Sequence, residues 1–188
     1  MVERYHLFET DHGSAAIGWS ARGVSAFRLP AATPQETRAS VRRRLPDAVE
    51  AAPTGPVEHV VQAARRYFSG EPIDFTDITL DLGRQDHLFA RIYELVRRLR
   101  WGETTTYGEI ARSLGEGPEV ARDVGQAMAR NPIPLIIPCH RVLAAGGKIG
   151  GFSAPGGSRA KARMLALEGV QPGPAEPSKS SAQTSFGF

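Results

Sequence analysis

Two adjacent residues, Cys139 and His140, are the part of the sequence best suited to carry out a reaction. Cys139 is the single cysteine among 188 residues, so it cannot form an internal disulfide and is too few ligands for a structural metal site. It is therefore either a small core residue or a nucleophile. A nucleophile needs a base or a cation that favours the thiolate. His140 would be that base and Glu168 would orient it if the last helix folds back, but spacing alone leaves this relay open.

The segments that flank this pair predict how it is held in the fold. The apolar run 133–137 precedes Cys139, and a glycine-rich stretch, 146–151, follows it. A last helix is predicted over Ser158–Leu167, ended by Glu168 and Gly169. The thiol is thus expected between an apolar segment and a glycine-rich loop.

The N-terminal part of the sequence predicts a small antiparallel sheet and two helices. Runs bounded by turn signals predict three strands, at 5–10, 15–20 and 24–29. Thr33, Pro34 and Glu36 are typical of a helix N-terminus and predict a helix to about Leu45. Apolar spacing predicts a second helix over Val57–Phe68. Partial alternation predicts an extended segment over Ile73–Leu82.

The following part is predicted to be mainly helical. Asp86 can cap a helix from His87 to Arg100. Two short helices, Tyr107–Leu114 and one from Pro118 to about Arg130, form a candidate helix-turn-helix. The second of them is rich in small residues: Ala121, Gly125, Ala127 and Ala129. Its smooth surface suits either close approach to a partner or packing in the core.

Composition restricts the class of protein. The formal net charge is +3, and between Arg122 and Arg163 there are seven basic residues against one acid. This excess suits a phosphate-rich partner, or it is a solvated basic face. No apolar run approaches the ~20 residues that span a bilayer, and the N-terminus lacks the pattern of a secretion signal. Together with a single cysteine, these features predict a cytoplasmic protein without a membrane partner.

Three segments are predicted along the chain. Residues 1–83 are expected to form a structural α/β domain, and residues 84–170 a mainly helical domain that carries the thiol and the candidate helix-turn-helix. Residues 171–188 are rich in Pro, Ser and Gly and are expected to be a disordered tail. The histidines before residue 88 are scattered, so no metal site is expected.

Several motifs resemble the O6-alkylguanine-DNA alkyltransferase family. They are Ile137-Pro138-Cys139-His140-Arg141-Val142, residues 121–128 followed by Asn131-Pro132, residues 102–111, and residues 165–169. The resemblance is specific from about Asp86 to Gly169 and looser before it, where 67–70 and 74–75 fit the pattern. It implies a small α/β domain joined to a mainly helical domain with a winged-helix-like helix-turn-helix.

The resemblance implies repair of DNA by direct reversal of damage. Members of the family flip an O6-alkylated guanine out of the duplex and move the alkyl group to a cysteine, which is Cys139 here. The expected partner is double-stranded DNA, contacted in its minor groove by a monomer that can assemble cooperatively. O4-alkylthymine is a second expected substrate. No cofactor is implied, because the DNA carries the alkyl group, and the thioether product implies one reaction per molecule.

The resemblance also assigns roles to individual residues. His140 and Glu168 match a water-linked relay that deprotonates Cys139, Tyr107 matches a proton donor to the leaving guanine, and Asn131 matches a hinge. Arg122 would occupy the space that the flipped base leaves. The other expected DNA contacts are Gly125, Ala127, Ala129, Thr105 and Thr106. The expected substrate pocket consists of Phe152, Ser153, Pro138 and Met128.

Structural roles are the alternatives for several of these residues. They are a core tyrosine for Tyr107, a helix C-cap for Asn131, a solvated or phosphate-binding side chain for Arg122, and turn chemistry for Ser153. Two features depart from the family's pattern: Phe152 lacks the hydroxyl that many relatives carry, and the loop 151–157 is two residues longer. Both concern the pocket wall and so the range of alkyl groups accepted.

The residues alone allow two other functions. A damage-recognition protein of the same fold would not react, but relatives of that type have lost the cysteine. An unrelated hydrolase could use Cys139, His140 and Glu168, but it would explain neither the smooth helix nor the basic stretch.

Overall fold

The computed structural model describes residues 2–173, in which a small sheet packs with helices from both halves of the chain. In the first half the elements are β1 Arg4–Thr10, β2 Gly13–Ser20, β3 Gly23–Arg28, α1 Pro34–Arg44, β4 Val49–Glu50 and α2 Pro56–Phe68. In the second half they are α3 His87–Arg97, β5 Thr105–Thr106, α4 Tyr107–Ser113, α5 Ala121–Ala129, β6 Val142–Leu143 and α6 Gly157–Leu167.

The sheet is mixed, so the prediction of a small antiparallel sheet is confirmed for three of its four strands and wrong for the fourth. Its strand order is β3-β2-β1-β4, and β1, β2 and β3 pair antiparallel as expected. The additional strand β4 pairs parallel with β1, with Val49 opposite Arg4. A parallel neighbour requires a crossover connection, and α1 provides it. A two-residue strand carries no alternation that the sequence could reveal.

The first predicted helix begins where its capping residues indicate. The Thr33 side chain accepts a hydrogen bond from the Glu36 backbone at 3.2 Å, and α1 follows from Pro34. The expected extended segment Ile73–Leu82 forms only one isolated bridge, between Leu80 and Val24. The chain passes close to Gly23 at this point, where a Cβ atom would lie 2.5 Å from the Thr79 carbonyl oxygen.

Two helix boundaries differ from the predictions in the second half. Asp86 caps α3 as predicted, but this helix ends at Arg97 instead of Arg100. The backbone beyond it serves another purpose, because the Leu99 carbonyl oxygen accepts a hydrogen bond from Arg141 at 2.6 Å. The helix predicted from Pro118 begins as a 3-10 turn over Pro118–Val120 and becomes α-helical at Ala121.

One core cluster includes residues from both halves of the chain, from Phe8 to Met164. Backbone contacts cross the same boundary, since the Phe27 amide of β3 donates to the Pro132 carbonyl at 3.2 Å. Across residues 2–173, no helix is long and apolar enough to span a membrane. Of the predicted tail, residues 171–173 lie against the 146–148 turn through a 2.9 Å hydrogen bond from Gly173 to Gly147. Residues 174–188 lie outside the described residues.

Candidate active site

The turn that carries Cys139 is held by the side chain of Asn131. Its amide nitrogen donates to the Ile137 carbonyl at 2.8 Å, and its oxygen accepts from the Ile133 backbone at 3.0 Å. Between these contacts Leu135 adopts φ 78°, a left-handed conformation that costs a non-glycine residue about 1–3 kcal/mol. Leu135 is buried, so packing and Asn131 together maintain this strained backbone.

Cys139 lies at the first position of a 3-10 turn, Cys139–Arg141, and is 5% exposed. It lines a cavity of about 390 Å³. Burial raises the pKa of the thiol, while a hydrogen bond from Asn131, the charge of Lys161 and backbone amides oppose this rise. The thiol is therefore neutral in the free protein at physiological pH, and a base must remove its proton before it can act as a nucleophile.

His140 is fully buried, and its ring is hydrogen-bonded to the Glu168 carboxylate. Its Nε2 atom lies 2.7 Å from Glu168 Oε1. Desolvation lowers the pKa of His140, so the ring is neutral at physiological pH and donates its single N–H from Nε2 to the carboxylate. Its Nδ1 atom has no hydrogen-bond partner among the described residues. The lone pair of Nδ1 is therefore free to accept a proton as far as the described residues are concerned.

The Glu168 carboxylate is the centre of the buried polar network. Tyr67 donates its hydroxyl to Oε1 at 2.7 Å, and Gly102 donates its amide to Oε2 at 3.1 Å. Arg141 donates Nε to Oε2 at 2.9 Å and a terminal nitrogen to Oε1 at 2.9 Å. Although desolvation acts to raise it, hydrogen bonds from His140 and Arg141 lower the pKa of Glu168 to about 2. The carboxylate therefore stays charged throughout the physiological range.

Sequence reasoning did not assign a role in the site to Tyr67 or Arg141. A usable signal existed for Tyr67, because it lies on the same helical face as Val60 and Ala64, where a hydroxyl requires a buried partner. Arg141 directly follows His140, but a sequence does not reveal which carboxylate an arginine reaches.

Lys161 is a buried cation that sequence reasoning also missed. It is fully buried on α6 and donates to the Val142 carbonyl oxygen at 2.6 Å. Its ammonium group lies 5.9 Å from the centre of the Tyr107 ring and 6.0 Å from that of Phe152. Desolvation lowers the pKa of Lys161 to about 8, and the charge of Cys139 opposes this shift. Lys161 and the thiolate of Cys139 therefore stabilise each other's charged forms.

The expected pocket residues are only partly brought together. Met128, Phe152 and Ser153 line the cavity with Cys139, and the Ser153 hydroxyl donates to the Ala129 carbonyl at 3.0 Å. Pro138 is buried and faces a different cavity, with Trp101 and Arg141, because the backbone turns between it and Cys139. Its assignment to the substrate pocket therefore stays a prediction. Tyr107 is half-buried; burial raises its pKa, and the charge of Cys139 adds to this rise.

The residues expected to contact DNA also divide into two groups. Arg122 and Ala129 are exposed and Gly125 is half-buried, whereas Ala127 is fully buried. Ala127 cannot present its side chain to a partner, so this expectation is wrong; it points into the core because it follows Val124 by three residues. The hydroxyls of Thr105 and Thr106 both donate to Glu109, and Thr106 caps α4.

The structure thus combines a mixed sheet and a helical half with one buried thiol. A histidine–glutamate pair follows that thiol in the same turn of the chain and the next helix end. Residues 87–170 match the family described as the 6-O-methylguanine DNA methyltransferase DNA-binding domain. A methylated-DNA–protein-cysteine methyltransferase of Sulfolobus acidocaldarius is 45% identical over 104 residues, which are 55% of this chain and 62% of that relative.

Solved structures extend the similarity to most of the chain. An O6-methylguanine methyltransferase structure of Mycobacterium tuberculosis is 30% identical with a TM-score of 0.71, over 91% of this chain and 96% of that one. A structure of OGT from the same organism in complex with DNA is 30% identical with a TM-score of 0.70, over 88% and 92% of the two chains. The chain belongs to the methylated-DNA–protein-cysteine methyltransferase family.

The buried Glu168 network predicts how stability depends on pH. Because the pKa of Glu168 is lowered from 4.5 to about 2, its contribution is present above pH 4.5 and is lost as pH falls towards 2. A shift of this size corresponds to about 3 kcal/mol. We expect Glu168→Gln to lower the free energy of unfolding at neutral pH and to flatten its dependence in the acid range, measured by urea unfolding at a series of pH values.

The matched control is Glu94→Gln, which removes an exposed carboxylate paired with Arg98. This variant should follow the pH dependence of the wild type, because exposed pairs contribute little. The same acid dependence in the wild type and in Glu168→Gln would contradict the role given to the network.

The electrostatic coupling between Lys161 and the thiol predicts a change in reactivity. Lys161→Met should raise the pKa of Cys139, because the variant removes a charge that favours the thiolate. At neutral pH, modification of Cys139 by a small alkylating reagent should slow about tenfold for each pH unit of that rise. The rate is measured by intact mass across a pH series. Arg159→Met, which removes an exposed charge from the same helix, should leave the profile unchanged; an unchanged profile in Lys161→Met would refute the coupling.

Proposed function

We propose that this protein repairs DNA by transferring the alkyl group of O6-alkylguanine to Cys139, once per molecule. The observation that carries the proposal is a buried thiol at a cavity, beside a neutral histidine that is anchored through Nε2 and has its Nδ1 free among the described residues. Family membership supports the same reaction. The M. tuberculosis structure with DNA supports the nature of the partner.

The proposed reaction starts with proton removal from the thiol. A water molecule passes the Cys139 proton to His140 Nδ1, and Glu168 stabilises the imidazolium that results. The thiolate then attacks the alkyl carbon, the bond between that carbon and O6 breaks, and its electron pair leaves with the guanine. Tyr107 donates a proton to the guanine near N3. The sulfur retains the alkyl group as a thioether, which is a poor leaving group, and the chain has no second cysteine to remove it.

The raised pKa of Cys139 fits a protein that reacts only once. A thiol that ionised freely would be consumed by other electrophiles and oxidants, since the thiolate is the reactive form. Burial keeps the thiol neutral, and the relay forms the thiolate only when a substrate is in place. Lys161 stabilises that thiolate without lying in the path of the proton.

The proposed DNA-binding surface is the helix-turn-helix formed by α4 and α5, which contacts the minor groove. Gly125 supports this role because a Cβ atom placed on it would meet nothing within 4 Å. The fold therefore does not need glycine there, although glycine destabilises a helix by about 1 kcal/mol relative to Ala. A close approach of DNA to the helix backbone explains it. Arg122, exposed on the first turn of α5, would occupy the space of the flipped base.

Three finer proposals follow from the family. O4-alkylthymine is a second substrate, Thr105 and Thr106 contact the DNA backbone near the start of α4, and the protein acts in the cytoplasm as a monomer that assembles cooperatively on DNA. The division at residue 83 into a structural and a reactive domain is likewise a proposal.

Transfer to Cys139 is tested by incubating the full chain with a duplex that contains O6-methylguanine. Intact mass should rise by one methyl group per molecule, and the modified peptide should contain Cys139. Cys139→Ala should show no rise. An unchanged mass of the wild type, or repeated turnover of an ester without DNA, would remove the proposal and favour a hydrolase.

The DNA-binding assignment is tested by Arg122→Ala and Gly125→Ala. Arg122→Ala should slow repair of duplex DNA about tenfold or more, because flipping costs a few kcal/mol that the arginine helps to offset. Its reaction with free O6-benzylguanine should change far less. Gly125→Ala should raise the free energy of unfolding by about 1 kcal/mol and still weaken duplex repair. Equal losses on both substrates would argue against the role of Arg122, and full duplex repair by Gly125→Ala would argue against close approach.

A further inference from the structure

The N-terminal half contributes a cluster of arginines to the cavity that contains the thiol. Arg43 and Arg44 at the end of α1, with Arg28 at the end of β3, line the same cavity as Cys139. Both α1 residues are exposed, and Arg28 is half-buried. The purely structural role predicted for this half of the chain does not account for the cluster.

The charge of this cluster is not compensated within the described residues. Arg28 donates to the carbonyl oxygens of Phe27 at 2.8 Å and Pro132 at 3.1 Å, and no carboxylate pairs with Arg28, Arg43 or Arg44 in residues 2–173. Burial and the neighbouring charges of Arg44 and Arg43 lower the pKa of Arg28 to about 10. The three guanidinium groups thus repel one another in the free protein, and a bound anion would relieve that repulsion.

The C-terminus of α1 accounts for only part of this arrangement. Basic residues in the last turn of a helix interact favourably with its macrodipole, and Arg42, Arg43 and Arg44 all occupy that turn. Arg42 is exposed but does not line the cavity. Helix capping therefore does not explain why Arg43 and Arg44 line the cavity of Cys139.

The cluster is continuous with the proposed DNA-binding surface. Arg130, directly after α5, lines the cavity of Cys139 together with Arg44. Both also line a neighbouring surface depression with Arg84, where Asp86 and Asp123 are the acidic neighbours. Asp86 already caps α3. Positive charge thus extends from the end of α5 across to α1, around the opening through which a base would reach Cys139.

We propose that Arg28, Arg43 and Arg44 bind the phosphates that flank the flipped nucleotide, so that both halves of the chain hold the damaged strand. The inference rests on the proposed function. A base that is inserted into the cavity remains attached to its sugar and phosphates, which must stay at the opening. Guanidinium groups at that opening match phosphate oxygens in charge and in hydrogen-bonding geometry. Contacts of this kind position the strand without reading its sequence.

The test compares Arg43→Gln/Arg44→Gln with the matched control Arg42→Gln, which removes the same type of charge from the same helix turn. Binding to a duplex that contains O6-methylguanine is measured across a salt series, with Cys139→Ala added to every variant so that no alkyl group is transferred. Each lost phosphate contact lowers the slope of log K against log salt by about 0.9, so the double variant should lose about 1.8. The control should keep the wild-type slope, and thermal unfolding verifies that both variants fold.

A second measurement separates this inference from the proposed function. Single-turnover repair of a methylated duplex should fall in the double variant much more than reaction with free O6-benzylguanine. A double variant with the salt slope of Arg42→Gln would overturn the phosphate contacts, whatever its activity. A wild type that accepts no alkyl group from either substrate would overturn the proposed function, while the salt slope would still report on the arginines.

Discussion

The arrangement of the site depends on one buried carboxylate, that of Glu168. It ends α6 and accepts hydrogen bonds from Tyr67 of α2, from the backbone of Gly102, and from His140 and Arg141 beside the thiol. A buried charge without partners would be strongly unfavourable, so these donors are required together. Segments distant in sequence are thereby fixed around Cys139, which short-range packing of the turn could not achieve alone.

The same carboxylate determines which nitrogen of His140 is basic. Because Nε2 donates to Glu168, the lone pair is on Nδ1, and the tautomer follows from the contact. Burial disfavours the charged form of each group in the site. It therefore raises the pKa of Cys139 and lowers the pKa of Lys161. The charge of Lys161 favours the thiolate form of Cys139, and a thiolate would in turn favour the charged form of Lys161.

Local signals in the sequence predicted most elements, and long-range contacts were beyond them. Thr33 and Asp86 cap helices within a residue or two of the predicted positions, because capping involves neighbours in the chain. The strand β4 was missed because its pairing is created by α1.

Lys161 left a readable signal, since it lies three, four and seven residues before Met164, Leu165 and Glu168 on one helical face. A cation in such a stripe predicts a buried partner, but not which one. The resemblance gave Cys139, His140 and Glu168 together, and it misplaced Ala127 because a motif does not specify which way a side chain points.

The fold gives no structural reason for Gly125 or for the unpaired charge of Arg43 and Arg44. Gly125 has free space where a side chain would stabilise its helix, and Arg43 and Arg44 have no carboxylate partner in the described part of the chain. Inside the site, His140 Nδ1 is the atom without a partner among residues 2–173. A protein selected for stability alone would have filled or paired these positions. Under the proposed function a single partner accounts for them, since DNA would supply phosphate to the arginines, a close surface to the helix, and a base to the cavity.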